Sequence, residues 1–258
     1  MKLSDAKHAF ITGGASGIGL GIADAFSQRG IAVTIADIDR PALAAVMASR
    51  TGRWGSQPLD TRDREAWGRS KQEAERAFGP VDILVNNAGI APDGRELADA
   101  KPDSFDRIIA INLVGVFNGI RTFAADMRGR GRGHIVNTSS MAGLVSGSSG
   151  VGAYAAAKFG VVGMSETLRS ELAPHGVGVS VLCPGLVTTN LPKTTLKVGG
   201  ELRDGAGEMP PSDVTTADVA RVVMQGIEEN LPYLISHPQH WPGVERRLLA
   251  LRDAFSLR

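Results

Sequence analysis

The chain is predicted to fold as an α/β protein, a doubly wound parallel sheet of about seven strands with helices on both faces. Three observations carry that expectation. Short runs rich in Val and Ile alternate with helix-length amphipathic segments along the 258 residues, the pattern of a parallel sheet buried on both sides. A glycine-rich turn at 12–19 separates the first apolar run from the first amphipathic segment. Many of the 32 glycines fall where a strand-like run gives way to a helix-like one, which suits tight βα turns.

The strands are expected at 9–12, 32–37, 83–86, 134–138, 177–182 and 233–236, with a weaker one at 56–59 completing the early βαβαβ half. A first helix spans 19–29, with Leu20, Ala23 and Phe26 on one face. Pro41 fits the first turn of a second helix, and a third covers 63–78. The stretches 105–127 and 154–173 are apolar on more than one face. They must be covered by the sheet and by another copy of the chain, so a homo-oligomer, dimer or tetramer, is expected. Residues 190–213 lack periodicity and read as a substrate lid with Gly199, Gly200 and Gly205 as hinges. Residues 237–258 form a C-terminal extension with an amphipathic helix at 244–255. No repeat, charge block or Pro-rich linker divides the chain, so 1–258 is expected to be a single domain.

Composition narrows the function. With 43% hydrophobic and 21% charged residues the chain can bury a full core. Lys and Arg number 28 against 27 Asp and Glu, a net charge of +1 that offers nothing to nucleic acid or an anionic membrane. The expected partner is a small molecule. The single cysteine, Cys183, precludes an intrachain disulfide and reads as a small buried apolar residue. The first residues hold too short an apolar run for a secretory signal, and no apolar run looks long enough to span a bilayer. A cytoplasmic enzyme is the expectation.

The turn Thr12-Gly13-Gly14-Ala15-Ser16-Gly17-Ile18-Gly19 lies between strand and helix, where backbone amides can meet a pyrophosphate at a positive helix terminus. Asp37, at the end of the second strand, can accept hydrogen bonds from both ribose hydroxyls of NAD and would repel the 2′-phosphate of NADP. Ser16 brings no basic residue to the turn, which favours NAD. Nearby Arg40 is a possible phosphate ligand, and helix capping is the other use for Asp37, a role open to Asp39 as well. Tyr154 and Lys158 stand at i and i+4, so on a helix the ammonium lies beside the phenol. A unit charge at ~4 Å would lower a phenol pKa of about 10 by up to about three units. An isolated Y-x-x-x-K is usually chance, so its surroundings decide. His237 and His240 suggest a metal only weakly, having no Cys or acidic ligand beside them, and no metal is expected.

With these motifs in order, the chain closely resembles the short-chain dehydrogenase/reductase superfamily from its first strand to its last. The resemblance implies a single Rossmann-type domain and an NAD-dependent oxidoreductase that interconverts a secondary alcohol and a ketone. In that reading Gly13, Ser16, Gly17, Ile18 and Gly19 hold the cofactor phosphates, and Asp60 with Thr61 holds the adenine end. Asn87, Ala88 and Gly89, within Asn86-Asn87-Ala88-Gly89, line the nicotinamide ribose. Pro184, Gly185, Val187 and Thr189 clasp the carboxamide, with Thr188 as the alternative to Thr189. Tyr154 is the general acid/base, and Lys158 lowers its pKa and binds the ribose. Ser140 polarises the substrate oxygen, and Asn112 holds a water in a proton relay.

Two departures from the family pattern stand out. The Ser140–Tyr154 interval is one residue longer than usual and rich in Gly and Ser, so the serine donor could instead be Ser139. Ala157 replaces a serine common before the lysine. The substrate pocket is expected from Ile90, Ala91, Pro92, Met141, Leu144, Val145, Leu191, Leu196, Val198 and Met209, with Lys193, Lys197 and Arg203 as lid cations. The pattern at 234–238 with the C-terminal helix is similar to dehydrogenases of aromatic and lignin-derived alcohols. The alternatives are a catalytically silent NAD-binding regulatory or scaffold protein on the same fold, an NADP-dependent carbonyl reductase, or a nucleotide-sugar epimerase or dehydratase. The last resembles a longer chain with a C-terminal substrate domain.

Overall fold

Seven strands, β1 (His8–Thr12), β2 (Ala32–Asp37), β3 (Trp54–Pro58), β4 (Ile83–Asn86), β5 (Gly133–Thr138), β6 (Val177–Cys183) and β7 (Tyr233–Ile235), form one sheet in a computed structural model. The structure describes residues 1–202 and 211–256. Every pairing is parallel, in the order β3-β2-β1-β4-β5-β6-β7. The expected doubly wound sheet is therefore present. The weak strand starts earlier than its sequence suggests because Trp54 is buried, its indole N–H donating to Ser27 Oγ at 2.9 Å.

The helices are α1 (Gly17–Gln28), α2 (Arg40–Ser49), α3 (Arg64–Phe78), α4 (Pro102–Ile109), α5 (Gly115–Arg130), α6 (Gly152–Leu172), α7 (Leu191–Lys197), α8 (Thr216–Glu228) and α9 (Trp241–Ala254). Strand side chains alternate between faces, and two cores result. On one face Ile22, Phe26, Leu43, Val219 and Val223 pack against Ile11, Val33, Ile35 and Val85. On the other, Trp67, Phe123, Met127, Val161 and Leu172 pack against Phe10, Leu84, Ile135 and Val179. The Phe10 and Phe123 rings lie 5.1 Å apart. α8 approaches β7 so closely that a Cβ on Gly226 would stand 2.0 Å from Leu234 Cδ2.

Two stretches differ from expectation. The apolar stretch after Pro102 is not one regular helix: α4 and α5 are joined by a π-helical turn, Ala110–Val114, with Gly115 N–H bonded to Ala110 O. The helical run Pro102–Arg130 is also long and apolar enough, by length and composition, to cross a bilayer; half of its apolar window is buried, as in a core helix. The aperiodic 190–213 segment begins with a helix, α7, whose pattern is too short to register as periodicity. The proposed hinge Gly205, with Arg203 and Met209, lies outside the described residues.

Buried within β5, His134 Nε2 donates to Ser180 Oγ at 2.8 Å, because that hydroxyl donates onward to Leu231 O. Nδ1 has no partner among the described residues. Burial pulls the ring down to about 3, so the unfolded chain takes up a proton below about pH 6.5 while the fold does not. Stability therefore falls as pH drops through that window. By pH 4 His134 is expected to cost roughly 3 kcal/mol. In urea unfolding, His134→Gln, which keeps an N–H for Ser180, should flatten the acid limb by that amount.

Candidate active site

β1 pairs with both β2 and β4, so the chain order reverses there, and in open α/β sheets such a reversal leaves a crevice at the strands' C-terminal ends. The crevice is a cavity of about 720 Å³. Of the residues assigned from the sequence to cofactor or catalysis, all but Gly19 and Asn112 line it.

The phosphate turn owes its shape to glycine. Gly13 and Gly17 have φ of +63° and +55°, left-handed values that side chains disfavour. Gly19 stands behind the wall, where a Cβ would come within 2.1 Å of Gly13 O. α1 begins at Gly17, and its N-cap Ser16 gives no side-chain capping bond. Gly17 and Ile18 thus bring the first, orphan amides of the helix to the crevice at its positive end, an anion cradle. Asp37 stands alongside, its carboxylate accepting from Ala15 N at 3.2 Å and Asp39 N at 3.0 Å. Burial raises its pKa, and those amides oppose the rise. Capping of α2 falls to Asp39, which accepts from Ala42 N at 3.2 Å. Asp60 is gripped by the Arg62 guanidinium, at 2.6 Å for the closest pair, which lowers its pKa. The crevice thus fits a nicotinamide dinucleotide by donor set and shape.

At the other end α6 brings up Tyr154 and Lys158. The ammonium lies 5.4 Å from the phenol ring centroid and donates to Thr138 O at 3.1 Å. Lys158 is buried, and burial pulls it down to about 8. Burial also raises the Tyr154 phenol, with the hydrogen bond to Ser140 opposing that rise. By spacing alone, the charge of Lys158 is expected to dominate and lower the phenol. In the structure desolvation wins for both groups, because the lysine is itself buried and sits over the ring.

The longer Ser140–Tyr154 interval leaves the register intact. Ser140 bonds to Tyr154, while Ser139 is buried and donates to Lys158 O at 2.8 Å. The Gly/Ser-rich stretch packs outward on the loop after β4. Ser149 donates to Glu96 at 2.8 Å, and Cβ atoms on Gly150 and Gly152 would meet Gly94 and Leu97 at 2.7 and 2.4 Å. The added length therefore builds a cavity wall that includes Ser148.

Asn112 sits in the π-turn with its side chain committed. Ile90 N donates to Oδ1 at 2.8 Å, and Nδ2 donates to Ile90 O at 3.0 Å. It is a satisfied core amide that fixes the loop after β4, beside the Gly89 that separates it from Lys158. π-turns are frequent at functional sites.

Of the residues expected in the substrate pocket, Ile90, Ala91, Pro92, Met141, Leu191 and Val198 line the cavity; Leu144, Val145 and Leu196 do not. Leu196 points to solvent, Leu144 packs on the second core, and Val145 faces Gly243 of α9. Met209 lies outside the described residues. Lys197 pairs with Asp39, and buried Thr195 accepts from Ala91 N at 2.9 Å, so α7 is tied to both rims. His237 and His240, legible in the sequence only as a weak metal pair, belong to the site instead: His237 is 3% exposed and bonded to Gly185 and Leu186, and His240 lines the cavity. Their rings stand 6.0 Å apart. The one available signal was a histidine pair just past the last strand.

The family model described as short chain dehydrogenase matches residues 7–197. Over 270 aligned residues the chain is 35% identical to a C alpha-dehydrogenase of Sphingobium sp. SYK-6, covering 98% of this chain and 88% of that protein. It is also 35% identical to a trans-4-hydroxycyclohexanecarboxylate dehydrogenase of Sinomonas cyclohexanicum, covering 84% of each. Among solved structures, a short-chain dehydrogenase/reductase from Burkholderia phymatum in complex with NAD superposes with a TM-score of 0.89 at 30% identity, covering 98% of this chain and 97% of that one.

Proposed function

The chain belongs to the short-chain dehydrogenase family, and from that premise we propose that it is an NAD-dependent oxidoreductase interconverting a secondary alcohol and its ketone. The observation that carries this reading is the cluster of Ser140, Tyr154 and Lys158 at one end of the crevice whose other end holds the glycine cradle and Asp37. A silent binding protein on the same fold has no need of that cluster. Bound in the crevice, the dinucleotide supplies the hydride acceptor or donor. Tyr154 Oη moves the proton to or from the substrate oxygen, and Ser140 Oγ orients that oxygen. Buried Lys158, anchored on Thr138 O, supplies positive charge beneath the phenol. The Asp37 carboxylate, meeting a ribose rather than a phosphate, selects NAD over NADP.

The apolar lining of Ile90, Met141, Leu191 and Val198 supports a medium-sized, largely apolar alcohol, and the similarity of 234–238 and the C-terminal helix to dehydrogenases of aromatic alcohols favours an aromatic one first. Exposed Phe105 and Phe117 on α4 and α5 support assembly into an oligomer, and a cytoplasmic setting goes with this reading. The test is a panel of secondary alcohols with NAD and then NADP, followed by cofactor absorbance. Net reduction of NAD by an added alcohol is expected; binding without turnover across the panel would favour a silent protein, and faster NADP use a carbonyl reductase.

Proton transfer by a phenol held high also fixes a pH dependence. Oxidation needs the deprotonated phenol and reduction the protonated one, so the oxidation rate should climb through the alkaline range while reduction holds below it. Rate profiles in both directions check this. An oxidation rate flat from neutral to alkaline pH contradicts a tyrosine base.

A further inference from the structure

The loop after β6 carries Gly185 and Leu186, and both are held by one side chain from beyond β7. Gly185 N–H donates to His237 Nδ1 at 3.0 Å, which requires that nitrogen to be unprotonated. Nε2 therefore carries the hydrogen and donates to Leu186 O at 2.9 Å. The ring also stacks on the glycine: a Cβ on Gly185 would stand 2.7 Å from His237 Cγ. Only glycine admits the imidazole there. Ser236 Oγ lies 2.9 Å from Nδ1 and makes a second contact to it.

On its opposite side the same loop is held by the serine segment. Met141 N donates to Pro184 O at 2.9 Å, and Ser140 Oγ reaches Pro184 O at 3.4 Å. Consecutive backbone groups from Pro184 to Leu186 are thus fixed between Ser140 and His237, just ahead of Val187 and Thr189 on the cavity wall.

We infer that His237 is a positioning residue, a neutral Nε2–H imidazole that sets the height of the 184–189 loop and so the seat of the nicotinamide ring relative to Ser140 and Tyr154. The inference rests on the dinucleotide reading proposed above. Groups that orient a contacting group are costly to remove even though they touch no ligand, and small misplacements of a reacting ring cost rate steeply.

The test compares His237→Phe, which keeps an aromatic ring and loses both bonds, with His237→Asn, whose Oδ1 can replace Nδ1, and His237→Gln, whose amide can replace Nε2–H. Affinity is measured by calorimetry for NAD and for ADP-ribose, which has the cradle-binding half but no nicotinamide. His237→Phe should bind NAD about tenfold more weakly, the lower end of what removing an orienting partner costs, and ADP-ribose within about twofold of wild type, because the cradle-binding half does not depend on the 184–189 loop. Turnover should fall by roughly a hundredfold. Asn and Gln should each recover part of the NAD affinity. Equal weakening of both ligands, or of neither, overturns the inference, and so does absence of recovery. Should the phenylalanine variant not fold, the Asn and Gln variants carry the same comparison, each losing one bond. Wild-type protein that binds neither ligand overturns the dinucleotide reading itself, a failure distinct from an unchanged affinity ratio.

Discussion

Tyr154→Phe is expected to lower turnover by roughly two to four orders of magnitude while NAD affinity stays within about threefold, since general acid/base transfer contributes roughly 10²–10⁴-fold. The substitution removes one oxygen from a half-buried ring and leaves α6, Lys158 and the Lys158–Thr138 bond in place. Its local cost is the single hydrogen bond to Ser140. Steady-state rates with the best alcohol, beside calorimetric NAD binding, give both quantities. Turnover within tenfold of wild type would remove the tyrosine from the proposed chemistry. A comparable loss of NAD binding would recast it as part of the cofactor seat.

The second large effect is on cofactor choice. Asp37→Ser removes a charge that would lie close to any 2′-phosphate. Two unit charges at ~4 Å repel by roughly 4 kcal/mol at an effective dielectric near 20. The ratio of kcat/KM for NAD over NADP should therefore fall by two to three orders of magnitude, most of it through better use of NADP. Serine can still accept from Ala15 N, one of the two amides now bonded to Asp37, so the turn before α1 is expected to hold. An unchanged ratio would mean that selection resides elsewhere, with exposed Arg40 the first place to look.

Most of the sheet was legible because a strand buried on both faces is written as a largely apolar run, and β2 and β4, interrupted only by Thr34 before their polar ends, are such runs. The glycine cradle and the Tyr154–Lys158 spacing were legible for a related reason. Each is local, set by residues within one or two helical turns. What escaped depends on distant partners. The π-turn at Asn112 forms around two bonds to Ile90, 22 residues away, and helical periodicity carries no trace of that. His237 gains its meaning from Gly185, 52 residues back. Spacing reveals that a charge is near the phenol, whereas only the fold reveals that burial raises the phenol and lowers the lysine.

The reversal between β1 and its two neighbours has a kinetic consequence. Ala91 N reaches Thr195 across 104 residues, and Asn87 N reaches Thr12 Oγ1 across 75. No contiguous fragment contains the site, and closing such long loops is paid for before the contacts return anything. The crevice therefore has no local precursor: it comes into being only once both halves of the sheet have docked on β1. A chain still emerging from the ribosome has no partial activity to lose, and a folded one that opens at either edge of β1 loses all of it at once.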